Sequence, residues 1–594
     1  MNPALPATLL AVPVLFSLSA PLFAHGGQYQ RPQPVGPMTG VRPGDAGRYG
    51  GGTTPAPGFP GSTRSGPLAR KQRPEAVPAD WQTWWRFNGS EQLLARSNPE
   101  LRAARKTVAA DWEPIRELLL KALAESESDI VDSAVIARSR TASSQASDEA
   151  FQDIWPFVAH PDPEIRRSAV FSLGLLDSRR TAPVLLSMLH NTSRSDPITD
   201  AMAAIALGYL SEPQAVAELK RTVTDPDAGA LRRAAVVALG LYTSEKREIV
   251  VFLLSQLEQS ALPAEVKSAI PIALGRLGEA ALPALPALRQ LTRHRQTERA
   301  LRRASVIALG RVAPADDLET MELLIRAAMT QNDPACRGYA YMAVSELAAR
   351  HDSAAGLAGE AAERGREFLT RTVSGRRGRA ERDWACLAGA LCLGTDQADR
   401  PEREALAAEL IKIARHENDA STRSAALLSL GLLREEEAIP VLREALIDRS
   451  APVAAGYAGL ALGLLGDRTV SAPLRQLMAP GGDPATRERA ATALALLSPE
   501  MAGSVLERLL QDAATISETV WAAQNLGRVG TPTALPPLVR LAADETAPTL
   551  SRAFALVGLG RLLEPDVLPW NTRLATGCDY FSLGPAETAL LDIY

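Results

Sequence analysis

The chain has 594 residues, 46% of them hydrophobic but only 5% aromatic, and a formal net charge of −4. That apolar content excludes a wholly disordered chain, and 64 basic against 68 acidic residues lack the basic excess of a general nucleic-acid binder. Four cysteines in so long a chain exclude a disulfide-built scaffold.

Leu9 to Phe23 is an apolar run broken by Pro13 and Pro21, closing on Phe23-Ala24 before His25. A membrane span needs about 20 predominantly apolar residues, so residues 1–24 fit a secretory signal better, with export to the periplasm, cell envelope or exterior as the consequence. No Lys or Arg precedes the run and Leu22 is bulky near the cleavage point, which leaves an uncleaved anchor or a chance hydrophobic N-terminus as the alternatives. No later stretch is long and apolar enough to span, so no integral membrane span is expected after signal removal. Residues 25–80 hold 12 Gly and 10 Pro in 56 positions, too little apolar surface to offset chain entropy, and read as a disordered linker. Trp81, Trp84 and Trp85 then fall within five residues. Exposed, they would form a docking patch or carbohydrate platform. Ahead of the helical segments Leu101–Ala110 and Glu113–Leu123, they make residues 81–129 an N-terminal helical cap, because a stack of repeats must cover its open apolar end.

From about residue 130 to 566 one pattern recurs, an Arg/Ala-rich apolar run ending in Leu-Gly or a close variant, as in RRSAVFSLGLL, LRRAAVVALGLY and TRSAALLSLGLL. Its key positions are Gly174, Gly208, Gly240, Gly275, Gly310, Gly394, Gly431, Gly463, Gly527 and Gly560, with Ser345, Ala495 and a worn first copy at Ser139 completing the series. The intervals run from 32 to 37 residues except for one of 49 between Ser345 and Gly394. Two further markers keep phase. Asp162, Asp196, Asp333 and Asp483, each followed by Pro, stand 12 residues before their key positions and supply a helix cap and a first-turn proline. Pro183, Pro283, Pro440, Pro473 and Pro536 open a second apolar segment. Each unit is therefore helix, turn, helix, with Ile165, Ala169, Leu173 and Leu176 as the buried stripe of one first helix, onto which Leu185, Met188 and Leu189 pack. Pairs this small must stack into a continuous core.

The unit resembles the HEAT repeat, in the short form associated with phycobilisome lyases; Asp162-Pro163-Glu164-Ile165-Arg166 with Ser168-Ala169-Val170 and Leu173-Gly174 is its fullest copy. The resemblance implies an all-α, right-handed α-solenoid (α-α superhelix) of about 12–13 helix pairs. It also implies an Asp–Arg ladder between neighbouring repeats, matched here by Asp162 with Arg166 or Arg167 and by Asp333 with Arg337. Arg232, Arg302, Arg423 and Arg552 have no Asp at that offset. The whole chain is similar to exported bacterial HEAT-repeat proteins.

The long interval, an insertion at about 350–382, carries Arg364, Arg366, Arg371, Arg376, Arg377, Arg379 and Arg382. Clustered guanidinium groups could hold an anionic partner; a solvated helix extension diluted by Glu363, Glu367 and Glu381 is the plainer reading. The tail 567–594, with Trp570, Cys578, Tyr580 and Phe581, reads as a far cap or as an exposed peptide ligand. No zinc-protease, nucleophile-elbow, phosphate-loop or haem-attachment motif occurs, and the six histidines lack metal-ligand spacing. No catalytic residue, cofactor or metal is expected. The reading is a non-enzymatic exported scaffold binding a protein partner, not nucleic acid, along an extended concave wall. Candidate contacts are Arg366, Arg371, Arg376, Arg377, Arg379, Trp81, Trp84 and Trp85. A lyase-like enzyme or an envelope polysaccharide binder are the alternatives.

Overall fold

Asp162 shows how a repeat begins. Its carboxylate accepts from the Glu164 N–H at 2.9 Å, and Pro163, with no N–H to lose, takes the first helical position. Asp196 and Asp483 cap their helices through the N–H groups of Thr199 and Thr486. Asp333 departs from the expectation: its side chain makes no cap bond and is taken by Arg303 of the preceding repeat. The stripe Ile165, Ala169, Leu173 and Leu176 is buried as its spacing predicts.

The computed structural model describes residues 80–96, 112–142, 147–176, 178–190, 196–350, 359–375, 381–394, 400–564 and 568–591. The expected signal, the Gly/Pro linker up to residue 79, the segment Leu101–Ala110, and Arg376, Arg377 and Arg379 lie outside them. Among the described residues the chain is all-α, in two alternating rows of helices. The row bearing the key positions comprises Ser128–Arg140, Pro163–Leu173, Pro197–Leu210, Leu231–Leu239, Ala264–Leu277, Arg299–Val312 and Pro334–Ala348. It continues through Arg382–Leu393, Ala420–Leu432, Pro452–Leu464, Pro484–Leu497, Ile516–Val529 and Thr549–Leu562. We call it the inner row. Each of its thirteen helices packs on the next in sequence order. The outer row runs from Trp112–Leu123 to Leu535–Ala543. Among the described residues these rows form an α-solenoid of thirteen HEAT-like pairs.

Pairing differs from the sequence reading in one respect. Most outer helices bring their backbone closest to the inner helix that follows, as Thr181–Leu189 does to Pro197–Leu210, rather than to the one before. Ser147–Ile154, nearer the one before, and Glu360–Ser374, set about equally between the two, are exceptions. An arginine eight residues ahead of the key position explains the preference. Arg232 donates to Val223 O at 2.9 Å, Arg423 to Ala414 O at 3.1 Å and Arg487 to Met478 O at 3.1 Å. Each satisfies a carbonyl orphaned at the C-terminus of the preceding outer helix and complements its dipole.

Along the inner row the key residue is small because the next helix passes too close for a side chain. A Cβ placed on Gly174 would lie 2.5 Å from Ala206 Cβ, and one on Gly431 would lie 2.4 Å from Ala461 Cα. The partner in both cases is the alanine two residues before the next key position. Ser345, which replaces the glycine in its copy, donates instead to Ala388 O on the next inner helix at 2.7 Å.

This row has no ends. A Cβ on Gly560, the last key position, would lie 2.7 Å from Ala137 Cα, and Ala137 stands two residues before Ser139, the first key position. Thr549–Leu562 packs on Ser128–Arg140 as any inner helix packs on its neighbour. Arg552 grips both carboxylate oxygens of Glu125 at 3.0 and 2.6 Å, and the buried Arg140 pairs with Glu564 at 2.7 Å. The solenoid closes on itself, so the caps expected at 81–129 and 567–594 have no open face to cover. Trp112–Leu123 is the first outer helix of the ring itself. The ladder also runs differently: Arg166 and Arg167 reach Asp196 of the next repeat at 2.9 and 3.0 Å, and Arg337 reaches Glu381 rather than Asp333. Of the arginines without an in-register Asp, Arg423 finds Asp448 and Arg552 finds Glu125 across the closure.

Candidate functional site

With no open end, the two terminal segments lie against the inner row. Trp81–Arg96 packs near Arg382–Leu393 and Thr572–Ala575. Trp81, fully buried, donates its indole N–H to Ser421 Oγ at 3.0 Å and meets the Tyr457 ring at 4.9 Å between centroids. Trp85 is buried and Trp84 half-buried, so the tryptophan cluster is a packing element here and offers a partner little surface. Ser421 in turn donates to Asp383 Oδ2 at 2.8 Å. Burial pushes the Asp383 carboxyl up to about 6, against the hydrogen bonds from Ser421 and the Trp384 N–H.

The tail is held by six consecutive inner helices. Trp570 lies 4.7 Å from the Phe171 ring and accepts from Tyr209 Oη at 3.0 Å through its carbonyl. Arg233 grips both oxygens of Glu587, and Arg276 donates to the carbonyls of Leu574 and Thr576. Arg303 stands over the Phe581 ring, 5.5 Å from its centroid, and Tyr339 Oη accepts the Tyr580 N–H at 3.0 Å. The two segments also bind each other: Phe87 stacks on Tyr580 at 4.7 Å, and Asn88 donates to Tyr580 Oη at 2.7 Å. The tail is not an exposed peptide: Trp570, Tyr580 and Leu590 are buried, and the segment lies docked against the inner row of its own chain.

These contacts come from positions that sequence reasoning passed over. Arg233 and Arg303 are the second arginines of the LRR runs, seven residues before the key glycine, and Arg276 follows Gly275 directly. A charged residue recurring beside a helix-crossing glycine was the available signal. Its physical content is that the inner row must turn a face somewhere other than into its neighbours.

The arginine-rich interval holds one outer helix, Glu360–Ser374, and no additional helix among the described residues. Arg366 is buried and bonded to Glu402 at 2.7 Å, Arg371 is exposed and paired with Glu367, and Arg364 pairs with Glu322 and Glu367. Arg382 donates to Val373 O and to Glu417. The chain's own carboxylates neutralise these guanidinium groups, so the described part of this interval offers no cationic patch. All four cysteines are buried and unpaired; burial raises the thiols of Cys336 and Cys392 to about 12 and that of Cys578 to about 11, which keeps them protonated and unreactive. Among the described residues no three His, Cys, Asp or Glu side chains gather as a metal site. No described helix is long and apolar enough to cross a membrane. One hollow of about 450 Å³ lies open on the outer row beside Phe252, and one of about 180 Å³ lies beside Arg96 and Gly463.

Comparison with known proteins bears on the repeat. No curated protein matches the chain in sequence. Among solved structures it is similar to importin beta, at 12% identity over 77% of this chain and 72% of that one with a TM-score of 0.39. Kap121p is similar at 12% identity over 81% and 56%, with a TM-score of 0.35, so the match spans little more than half of that protein. Human deoxyhypusine hydroxylase gives 22% identity over 49% and 98%, with a TM-score of 0.22. Residues 471–557 match the family of HEAT repeats and residues 422–448 the PBS lyase HEAT-like repeat. The chain is a HEAT-repeat protein.

Proposed function

We propose that this protein is an exported, non-enzymatic scaffold that carries protein partners on a closed ring of repeats. The observation that carries the reading is the inner row's grip on two polypeptide segments, through arginine-to-carbonyl, arginine-to-carboxylate and aromatic contacts supplied at recurring repeat positions. Stacked repeats give extended walls rather than closed clefts, and a wall of this kind suits a large partner better than the turnover of a small molecule. The outer row adds side chains such as Val251, Met329 and Ile447, apolar and exposed. Export rests on the apolar run ending at Ala24, followed by the Gly/Pro-rich linker.

Crosslinking in intact cells, with mass spectrometry of the joined peptides, tests the scaffold. Recurrent links from outer-row positions to one other protein are expected, and links confined to this chain would overturn it. Fusion of residues 1–30 to a reporter active only outside the cytoplasm tests export, and an inactive fusion would remove that part of the reading.

A further inference from the structure

The grip on the tail is uneven. Glu587 is well held: Arg233 takes both its oxygens, and the Gly584 N–H donates to Oε2 at 2.8 Å. Asp579 is not. It is buried; its Oδ1 accepts the Phe581 N–H at 3.2 Å, but its Oδ2 makes no hydrogen bond of ordinary geometry, and Arg303 Nη1 lies 3.9 Å from it on a side chain already committed to Asp333. Burial raises the Asp579 carboxyl above its ordinary range despite help from Ser582, Arg303 and Tyr339. A buried carboxylate oxygen left in this state opposes the docking of the segment that carries it. Closure of the ring, meanwhile, is made by Gly560 on Ala137, Arg552 with Glu125 and Arg140 with Glu564; the tail adds to it only the Trp570 N–H, which donates to Glu564 Oε1 at 3.2 Å. The tail is therefore an imperfect occupant of a wall that closes without it.

We propose that the inner-row surface formed by Arg233, Arg276, Arg303 and Tyr339 is a receptor for an acidic–aromatic peptide segment of a partner protein, and that residues 570–591 occupy it in cis as a displaceable stand-in. The proposal rests on the scaffold reading and names the partner's chemistry. Arg276 binds main-chain carbonyls at the C-terminal end of the short helix Thr572–Ala575, a contact that needs no particular side chain. Arg303 and Tyr339, with Phe87 of the N-terminal segment, receive a pair of aromatic rings. Arg233 selects a carboxylate several residues further on. Charge complementarity favours a partner of this composition, because the wall contributes cations and the segment it holds contributes Asp579 and Glu587. A partner whose first acid stood within hydrogen-bond distance of Arg303 would displace the tail.

The test uses the full chain and, as probe, a fluorescein-labelled synthetic peptide with the sequence of residues 570–591. Weak binding to the wild type is expected, since the competent fraction is small. Glu587→Gln loosens the cis tail and raises peptide affinity by about tenfold as that fraction grows. Asp579→Asn removes the weakly held buried charge, tightens the cis tail and lowers peptide affinity severalfold. Adding Arg233→Gln to Glu587→Gln abolishes the gain. Hydrogen exchange supplies the second readout, with faster exchange in Glu587→Gln confined to the amides of 570–591. Equal affinity for wild type and Glu587→Gln, a shift of both single variants in the same direction, or exchange spreading through the ring would overturn the proposal. So would a dimer of Glu587→Gln that peptide fails to dissociate, which would mean tail exchange between two copies. Each of these failures leaves a partner crosslinked to the outer row, and with it the scaffold reading, untouched.

Discussion

The closure between Thr549–Leu562 and Ser128–Arg140 and the docking of residues 570–591 are both contacts between distant parts of the chain, yet they are built differently. The closure repeats a local rule: Gly560 on Ala137 is the same approach as Gly174 on Ala206, and Arg552 with Glu125 continues the series of arginines that reach a carboxylate of the next repeat. The tail obeys no repeat. It is held by single, unlike contacts such as Tyr580 on Phe87 and Glu587 on Arg233, and it leaves Asp579 poorly satisfied. A closure made of repeated units inherits their stability, whereas a segment held by individual contacts is only as secure as each of them.

The largest expected effect breaks the closure. Gly560→Leu places a side chain where even a Cβ would meet the Ala137 backbone, which cannot yield as a flexible side chain would. Overpacking of this kind costs about 3 kcal/mol or more, read as a lowered denaturation midpoint. Gly431→Leu, at an internal junction of the same geometry, should cost the same within error. A closure variant much milder than the internal one would show that the ring is weaker at its join. Next, Arg552→Ala leaves Glu125 without its bidentate partner and Ala542 O without a donor, a loss of about 2–3 kcal/mol for a largely buried pair. Glu125→Gln should recover part of it in the double variant.

A smaller effect sharpens the contrast at the N-terminal segment. The Asp383 carboxyl is raised from 3.8 to about 6, so the stability it contributes is full below about pH 4 and lost as pH rises through 6. Asp383→Asn should therefore stabilise the protein by roughly 2 kcal/mol at pH 7.5, with the advantage gone by pH 4. Asp196 has the opposite sign. Burial opposes its charge, but Thr199, Arg167 and Arg166 hold it down to about 2, so its contribution persists to low pH and disappears only as pH falls through that value. Comparing the two chains as a difference in unfolding temperature against pH isolates Asp383, and a flat difference would contradict the assignment. Smallest of all, Arg371→Ala removes an exposed pair with Glu367 and should change stability by less than about 0.5 kcal/mol. A larger loss would mean that the arginine-rich interval contributes more than its ion pairs suggest.

Much of the ring was readable without coordinates. The 32- to 37-residue spacing, the caps at Asp162, Asp196 and Asp483 and the buried stripe at Ile165, Ala169 and Leu173 are local consequences of helical geometry, and each stands where its period puts it. The candidate contacts were less legible. Arg366 and Arg371 resemble free cations in a linear reading because Glu402 is 36 residues from the first, and nothing in the intervening residues says that the two meet. Trp81 resembles a docking residue until Ser421, 340 residues away, is placed beside it.

Residue order alone determined the unit, its number and its small crossing residues, because a helix pair records its periodicity within some thirty positions. Whether thirteen such pairs make an open wall or a closed ring is decided by the sum of small turns from one pair to the next, a quantity that no single repeat contains. Only once the last inner helix returned to the first did Gly560 find Ala137, and only then did the inner row become a surface that could receive the two segments flanking the repeats.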